Sequence, residues 1–248
     1  MRILYNNILK NYSTITATYE SANRPVTNLL HNYLELPFQA TLDGSLIEII
    51  LDQDYPVNCF ACGFHNMYLM TVDIYDVSNN FLWGGSYYDG SVEGPLGDTE
   101  TMHYFPIQSD ARKIYLGCET HDTNLIIGGF SMGVYLDMPD FLQGPKQNIS
   151  LRDSIYESGS GQSGGNKQRN LEDFTLSFLD VSNSKREEIK TYLRTVQRSV
   201  PHYVDRYPDS QDEVPPMYCK VISDTVPNDK RVMRDFTYDF NITWKEAR

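Results

Sequence analysis

Apolar positions along this chain recur mainly at every second residue, in short runs cut by Asp, Asn, Gly and Pro. The densest such stretch is Ser45 to Asp76. Leu46-Ile47-Glu48-Ile49-Ile50-Leu51 is apolar except at Glu48, Asp52-Gln53-Asp54 predicts a turn, and Val57 to Phe64 is a second apolar run. After His65-Asn66, Leu69, Thr71, Asp73 and Tyr75 alternate with Met70, Val72 and Ile74. Runs of four to eight residues rich in β-branched and aromatic side chains read as strands, because a pleated backbone sends successive side chains to opposite faces. Further strands are predicted at Ser13–Thr18, Phe81–Trp83, His103–Phe105, Arg112–Leu116 and Leu125–Gly133, with a surface loop from Gly84 to Asp98.

The pattern changes after residue 136. Residues 134–153 carry Pro139, Gly144 and Pro145, and Ser158 to Gly165 is a Gly/Ser tract that cannot bury apolar area. Strand-like segments flank it, so 154–170 is expected to be a mobile hairpin tip. Phe174, Leu176 and Phe178 alternate as a half-buried strand, and Phe236, Tyr238, Phe240 and Ile242 do so again near the end. Between them, Ile189, Tyr192, Leu193 and Val196 fall at i, i+3, i+4 and i+7, the stripe of one amphipathic helix. Ser184-x-x-Glu187 has capping-box spacing at its start and Pro201 is the expected stop.

Charge sharpens this division. Residues 1–140 hold 5 Lys/Arg against 17 Asp/Glu, and residues 141–248 hold 16 of each, so the whole net charge of −12 lies in the first part. Two domains are expected, 1–136 and 137–248. An acidic surface argues against nucleic-acid binding, which needs a cationic footprint. No apolar run approaches the ~18–20 residues of a membrane span. Met1 to Tyr12 lacks the pattern of a secretory signal, so a soluble protein made in a cytosol is expected.

Three pieces of the first domain carry a resemblance: Pro25-Val26-Thr27-Asn28-Leu29, Ile47-Glu48-Ile49-Ile50-Leu51-Asp52 and Gly63-Phe64-His65-Asn66. Their order resembles discoidin-like (galactose-binding-like) jelly-roll domains of bacteriophage tail and virion proteins. The second domain resembles the β-sandwich-with-helix of tail-tube, distal-tail and minor tail proteins. The resemblance implies a mainly β chain, a jelly-roll β-sandwich followed by a tail-tube-like sandwich with one amphipathic helix. It also implies a non-enzymatic structural component of a phage tail or baseplate, assembled in the bacterial cytoplasm. Its partners would be copies of itself in a ring and other tail proteins. The alternative is a virion adhesin that binds a host glycan.

Candidate chemistry is sparse. Cys59-x-x-Cys62-x-x-His65 has metal-like spacing and would need Cys118, His103 or His121 to complete a zinc tetrahedron. Packed thiols are the simpler reading, and no metal or other cofactor is expected. No nucleophile elbow or phosphate loop occurs. The acidic groups Asp52/Asp54 and Asp209/Asp212/Glu213 read as turn and surface residues, as does Asp43, which with Asp52 and Asp54 would be the calcium alternative. Trp83, Tyr87, Tyr88 and His103 are the candidate sugar-binding set. The competing reading makes Trp83 core and turns the Tyr-rich loop to a neighbouring subunit. Tyr207, Val214, Pro215, Pro216 and Met217 form a proline-bounded loop suited to subunit contact.

Overall fold

The computed structural model describes residues 1–30, 36–88, 100–122, 124–141, 146–150, 153–157, 163–167, 171–210, 215–223, 230–232 and 237–247. The chain is mainly β. It divides into two compact units, Met1–Asp137 with His202–Tyr218, and Met138–Pro201 with Cys219–Ala247. The first division falls between Asp137 and Met138, and a later segment, 202–218, is grouped with the first unit rather than with 137–248.

The strands of residues 1–137 are β1 (Arg2–Leu4), β2 (Tyr12–Ala17), β3 (Phe38–Gln39), β4 (Gly44–His65), β5 (Met67–Tyr75), β6 (Phe81–Tyr88), β7 (Thr101–Thr120), β8 (Ile126–Gly133) and β9 (Leu136–Asp137). β4 and β7, 22 and 20 residues long, run antiparallel to each other and form the spine. Their first and second halves belong to different layers. Ile47–Leu51 of β4 pairs with β2, and the end of β7 pairs with β5, which pairs with β6. Cys59–His65 of β4 pairs with β8, which carries β3. Ile47, Ile49 and Leu51 of one half and Val57, Phe60 and Cys62 of the other meet in a single core with Val72, Ile114, Leu116 and Phe130. The result is a β-sandwich, as the alternation predicts.

Two expectations change here. Asp52-Gln53-Asp54 is not a turn; β4 continues through it, and the ladder with β7 shifts register between Ile50 and Cys59. The three polar residues are exposed at the bend where the strand passes from one layer to the other. Bulges of this kind add residues and twist to one strand without ending it. Likewise Gly84 to Tyr88 is strand, not loop, while residues 89–99 lie outside the described set.

The motif residues of the resemblance build this fold. Val26–Leu30 is a 3-10 turn whose Val26, Leu29 and Leu30 are buried in the sandwich core. The Glu20 carboxylate accepts from the Val26 amide at 2.7 Å and fixes the turn's entry.

The second unit contains β10 (Lys146–Ser150), the hairpin β11 (Asp153–Glu157) and β12 (Ser163–Lys167), β13 (Leu171–Val181) and helix α1 (Asn183–Val196). Residues 158–162 of the Gly/Ser tract lie outside the described residues. The chain then returns to the first unit as β14 (His202–Asp205), which pairs with β1. It goes on through β15 (Met217–Val221), β16 (Lys230–Val232) and β17 (Thr237–Glu246). β17 takes β13 on one side and, on the other, both Cys219–Val221 and β16. Phe174, Leu176 and Phe178 face Trp244, Ile242 and Phe240 directly across the ladder, and all six are buried. Of the predicted last alternation, Phe236 lies outside the described residues.

Helix α1 buries Ile189, Tyr192, Leu193 and Val196, the predicted stripe. The indole Nε1 of Trp244 donates to the Tyr192 hydroxyl at 2.9 Å, so the helix and the sheet share a satisfied polar contact inside the unit. Its ends differ from expectation. The N-cap is Ser182, whose hydroxyl accepts from the Lys185 amide, and Glu187 instead pairs with Lys190. The helix stops at Val196, where Gln197 takes a positive φ of 48° and returns its N–H to the Leu193 carbonyl. This cap ends the helix before Pro201 can act.

Candidate functional site

β6 and the first half of β7 are the outer strands of the two layers, and their aromatic residues close the sandwich on that side. Trp83 stacks on Phe105 at 4.1 Å with 16° between the rings, and Tyr87 lies 3.9 Å from His103. All four surround Phe60, which is fully buried. Burial, with His65 nearby, pushes the His103 imidazole down to about 4, so it is neutral at physiological pH; burial raises the Tyr87 phenol to about 12. Tyr88 ends β6 with its backbone paired to Leu69. The structure therefore brings Trp83, Tyr87 and His103 together, half-buried around Phe60, with their rings tilted against one another.

The cysteines do not converge. Cys62 lies in the sandwich core beside Cys118, while Cys59 faces the other way, toward Asp205 and Arg2. Burial raises all three thiols, Cys118 to about 12, which opposes the thiolate a metal needs. His65 is buried, its Nδ1 accepting from the Met67 amide. Among the described residues no group of three or more His, Cys, Asp or Glu is placed to hold a metal. Of the proline-bounded loop, Pro216 and Met217 are buried within the chain, Tyr207 is half-buried and Pro215 is exposed. Val214, Asp212 and Glu213 lie outside the described residues.

A different surface has the geometry of a recognition site. In the β5–β6 hairpin, Ile74 pairs with Trp83 but Tyr75 pairs with Phe81, so Leu82 is an extra residue. Leu82 and Trp83 both pack on the core, and the bulge turns Phe81 to the solvent face, where it is 59% exposed. Its ring lies over Gly84: a Cβ there would come within 3.0 Å of two Phe81 ring atoms and would collide with the Asp73 carboxylate. Glycine at this position thus seats an aromatic ring and a carboxylate side by side. Tyr75 meets Phe81 edge-on at 5.6 Å and Tyr115 edge-on at 5.5 Å, and the Tyr115 hydroxyl donates to Glu48 at 2.7 Å, which raises that phenol.

The hairpin tip beneath this strip is fixed. The Asp76 carboxylate accepts from the amides of Ser78 and Asn80, both at 2.8 Å, and from the Asn80 side chain at 2.7 Å. The Asn80 side-chain amide, then its backbone N–H, hold the Asp76 pKa below the usual carboxylate value. Asn79 takes φ of 63°, and its side-chain oxygen accepts from Lys113 Nζ. Sequence reading missed this site. The signal was Phe81-Leu82-Trp83, three consecutive apolar residues that a regular strand cannot send to one face.

At one end of the same sandwich, Asn66 organises the loop before β8. Its side-chain amide donates to Asp122 and to the Asn124 carbonyl, both at 2.9 Å, and its side-chain oxygen accepts from the Ile126 amide at 2.7 Å. Exposed His121 stacks on Tyr68 at 4.0 Å, and the Tyr68 hydroxyl donates to Glu119.

No protein-family model matches the chain, and no curated protein matches it. Among solved structures it is similar to carbohydrate-binding modules. A Streptococcus pneumoniae fucose binding module is 15% identical over 52% of this chain and 95% of the module, with a TM-score of 0.42. The lectin domain of lectinolysin, complexed with Lewis B antigen, is 12% identical over 51% of this chain and 95% of that domain, also at 0.42. Chitosan-binding module 1 of a Paenibacillus sp. IK-5 chitosanase/glucanase is 14% identical over 52% of this chain and all of the module, at 0.42.

Proposed function

We propose that this chain is a non-catalytic recognition protein whose first unit binds carbohydrate on the outer face of β4–β7. One observation carries the reading: the Phe81 ring, exposed and seated on Gly84 beside the Asp73 carboxylate. A sugar ring offers an apolar C–H face and a rim of hydroxyl donors, and this pairing meets both at once. The aromatic face takes the C–H groups, and the carboxylates of Asp73 and Glu48 accept from the hydroxyls. The bulge and the Asp76-braced turn hold these groups before any ligand arrives, which lowers the cost of ordering them on binding. Trp83, by contrast, has Phe105 stacked on its ring.

The phage setting enters from the sequence resemblance, and with it the proposal reads as a virion component, carried on a tail and contacting a host glycan. The residues that carry the resemblance build the sandwich; they support the fold more than a role in ring assembly. A purely structural tail subunit would use the same strip to contact its neighbours. A glycan array probed with wild type and Phe81→Ala separates the two. Binding that disappears in a folded Phe81→Ala variant supports the adhesin; an empty array together with ring assembly supports the structural subunit.

A further inference from the structure

From the extent of this surface we infer that the ligand is a non-acidic polysaccharide bound along the interior of its chain, not a terminal sugar held in a pocket. The inference rests on the carbohydrate reading above and specifies its ligand. Phe81, Tyr75, Tyr115 and Glu48 lie on β6, β5, β7 and β4, four adjacent strands joined by register Tyr75↔Phe81, Asp73↔Tyr115 and Glu48↔Tyr115. Three strand spacings of ~4.8 Å make the strip roughly 14 Å long, longer than one sugar ring. It runs across the solvent face of a sheet, and the ring-to-ring steps of 5.6 and 5.5 Å keep aromatic surface continuous from β6 to β7. A terminal sugar would leave most of that surface in water; a chain lying across the strands covers it.

Charge narrows the class. The ligand meets the carboxylates of Asp73 and Glu48, while Lys113, the cation of the strip among the described residues, has Asn79 as a partner. Residues 1–140 as a whole, Asp73 and Glu48 included, carry an excess of twelve acids. A polyanionic chain would be repelled, and a chain of hydroxyl or amine donors would be accepted.

Calorimetric titration of the full chain with a series from mono- to hexasaccharide of an array-positive polymer tests this, using oligomers with free and with blocked non-reducing ends. The expected result is affinity that rises roughly tenfold or more from mono- to tetrasaccharide, as second and third rings engage. Blocking the ends should leave it unchanged. A monosaccharide that binds as tightly as the hexamer, or loss of binding on end-blocking, overturns the inference and leaves the carbohydrate reading intact. Preference for an acidic polymer over a neutral one also overturns it. Binding to no member of the series, with Phe81 intact, overturns both.

Discussion

The hydroxyl of Tyr104 donates to the carboxylate of Asp205 at 2.7 Å, tying β7 to a strand 101 residues further along the chain. Asp205 is fully buried, and its other oxygen accepts from the Tyr207 amide. The Arg2 guanidinium lies 4.3 Å over the Tyr104 ring and 4.8 Å over that of Tyr135, so the first strand closes the same cluster. This contact explains why His202–Tyr218 belongs with the first unit although the helix of the second precedes it.

Tyr104→Phe removes one donor from a buried carboxylate and is expected to destabilise the chain by about 1–3 kcal/mol. Urea unfolding measures it; a change within error would show that Asp205 is satisfied without the phenol. Burial first, then the bond to Asp205, raises the Tyr104 pKa far above its ordinary value. The group therefore stabilises the fold fully below the ordinary phenol range, near ~10, and that stability drains away as pH climbs above it. Wild type should lose more stability than Tyr104→Phe between neutral and strongly alkaline pH.

Asn66→Ala removes three bonds, to the Asp122 carboxylate, to the Asn124 carbonyl and from the Ile126 amide. Two backbone groups and a carboxylate lose a partner at once, so a loss of about 2–3 kcal/mol is expected. Amide hydrogen exchange at Ile126 reads the local effect, and unchanged protection there would contradict the assigned role.

Trp83→Ala and Phe81→Ala should behave oppositely although two residues apart. Trp83, half-buried, covers the open side of the core against Phe105 and Phe60, and its removal should cost about 2–3 kcal/mol, below the value for a fully buried ring. Phe81 faces solvent, and its removal should change the unfolding midpoint little while abolishing binding. Thermal unfolding of both variants checks this; a stable Trp83→Ala variant would move Trp83 from the core to the surface.

Asp76 sets an acid limit for the site. Its pKa is held below the usual carboxylate value by Asn80, so the turn's bracing is fully present above the ordinary carboxylate range, near ~4, and is lost as pH falls through the lowered value. The amide signals of Ser78 and Asn80 should shift together in that acid range, and they should not do so in Asp76→Ala. Titration of these signals near neutrality would refute the bracing.

Much of the β structure was legible because burial alternates along β5, Leu46–Leu51 of β4 and β13, and because the helix stripe of Ile189, Tyr192, Leu193 and Val196 follows its period. What escaped is what period alone cannot encode. Asp52-Gln53-Asp54 resembles a turn because a strand crossing between layers exposes polar residues as a turn does. Ser184 has the capping spacing, yet Ser182 is the N-cap, because both serines precede the same helix-forming run. The site was hidden by the bulge at Leu82, which reverses the side of the sheet that Phe81 occupies. Trp83 drew attention as the larger ring, yet the strand sends it inward.

The central claim, that ligand lies on the outer face of β4–β7, is tested most directly by a two-dimensional NMR titration of the full chain with an array-positive oligosaccharide. The account predicts saturable shifts at Phe81, Gly84, Asp73, Tyr75 and Tyr115, with Trp83 and His103 little changed. Shifts confined to Tyr68 and His121 at the end of the sandwich, or to Trp83, Tyr87 and His103, would contradict it.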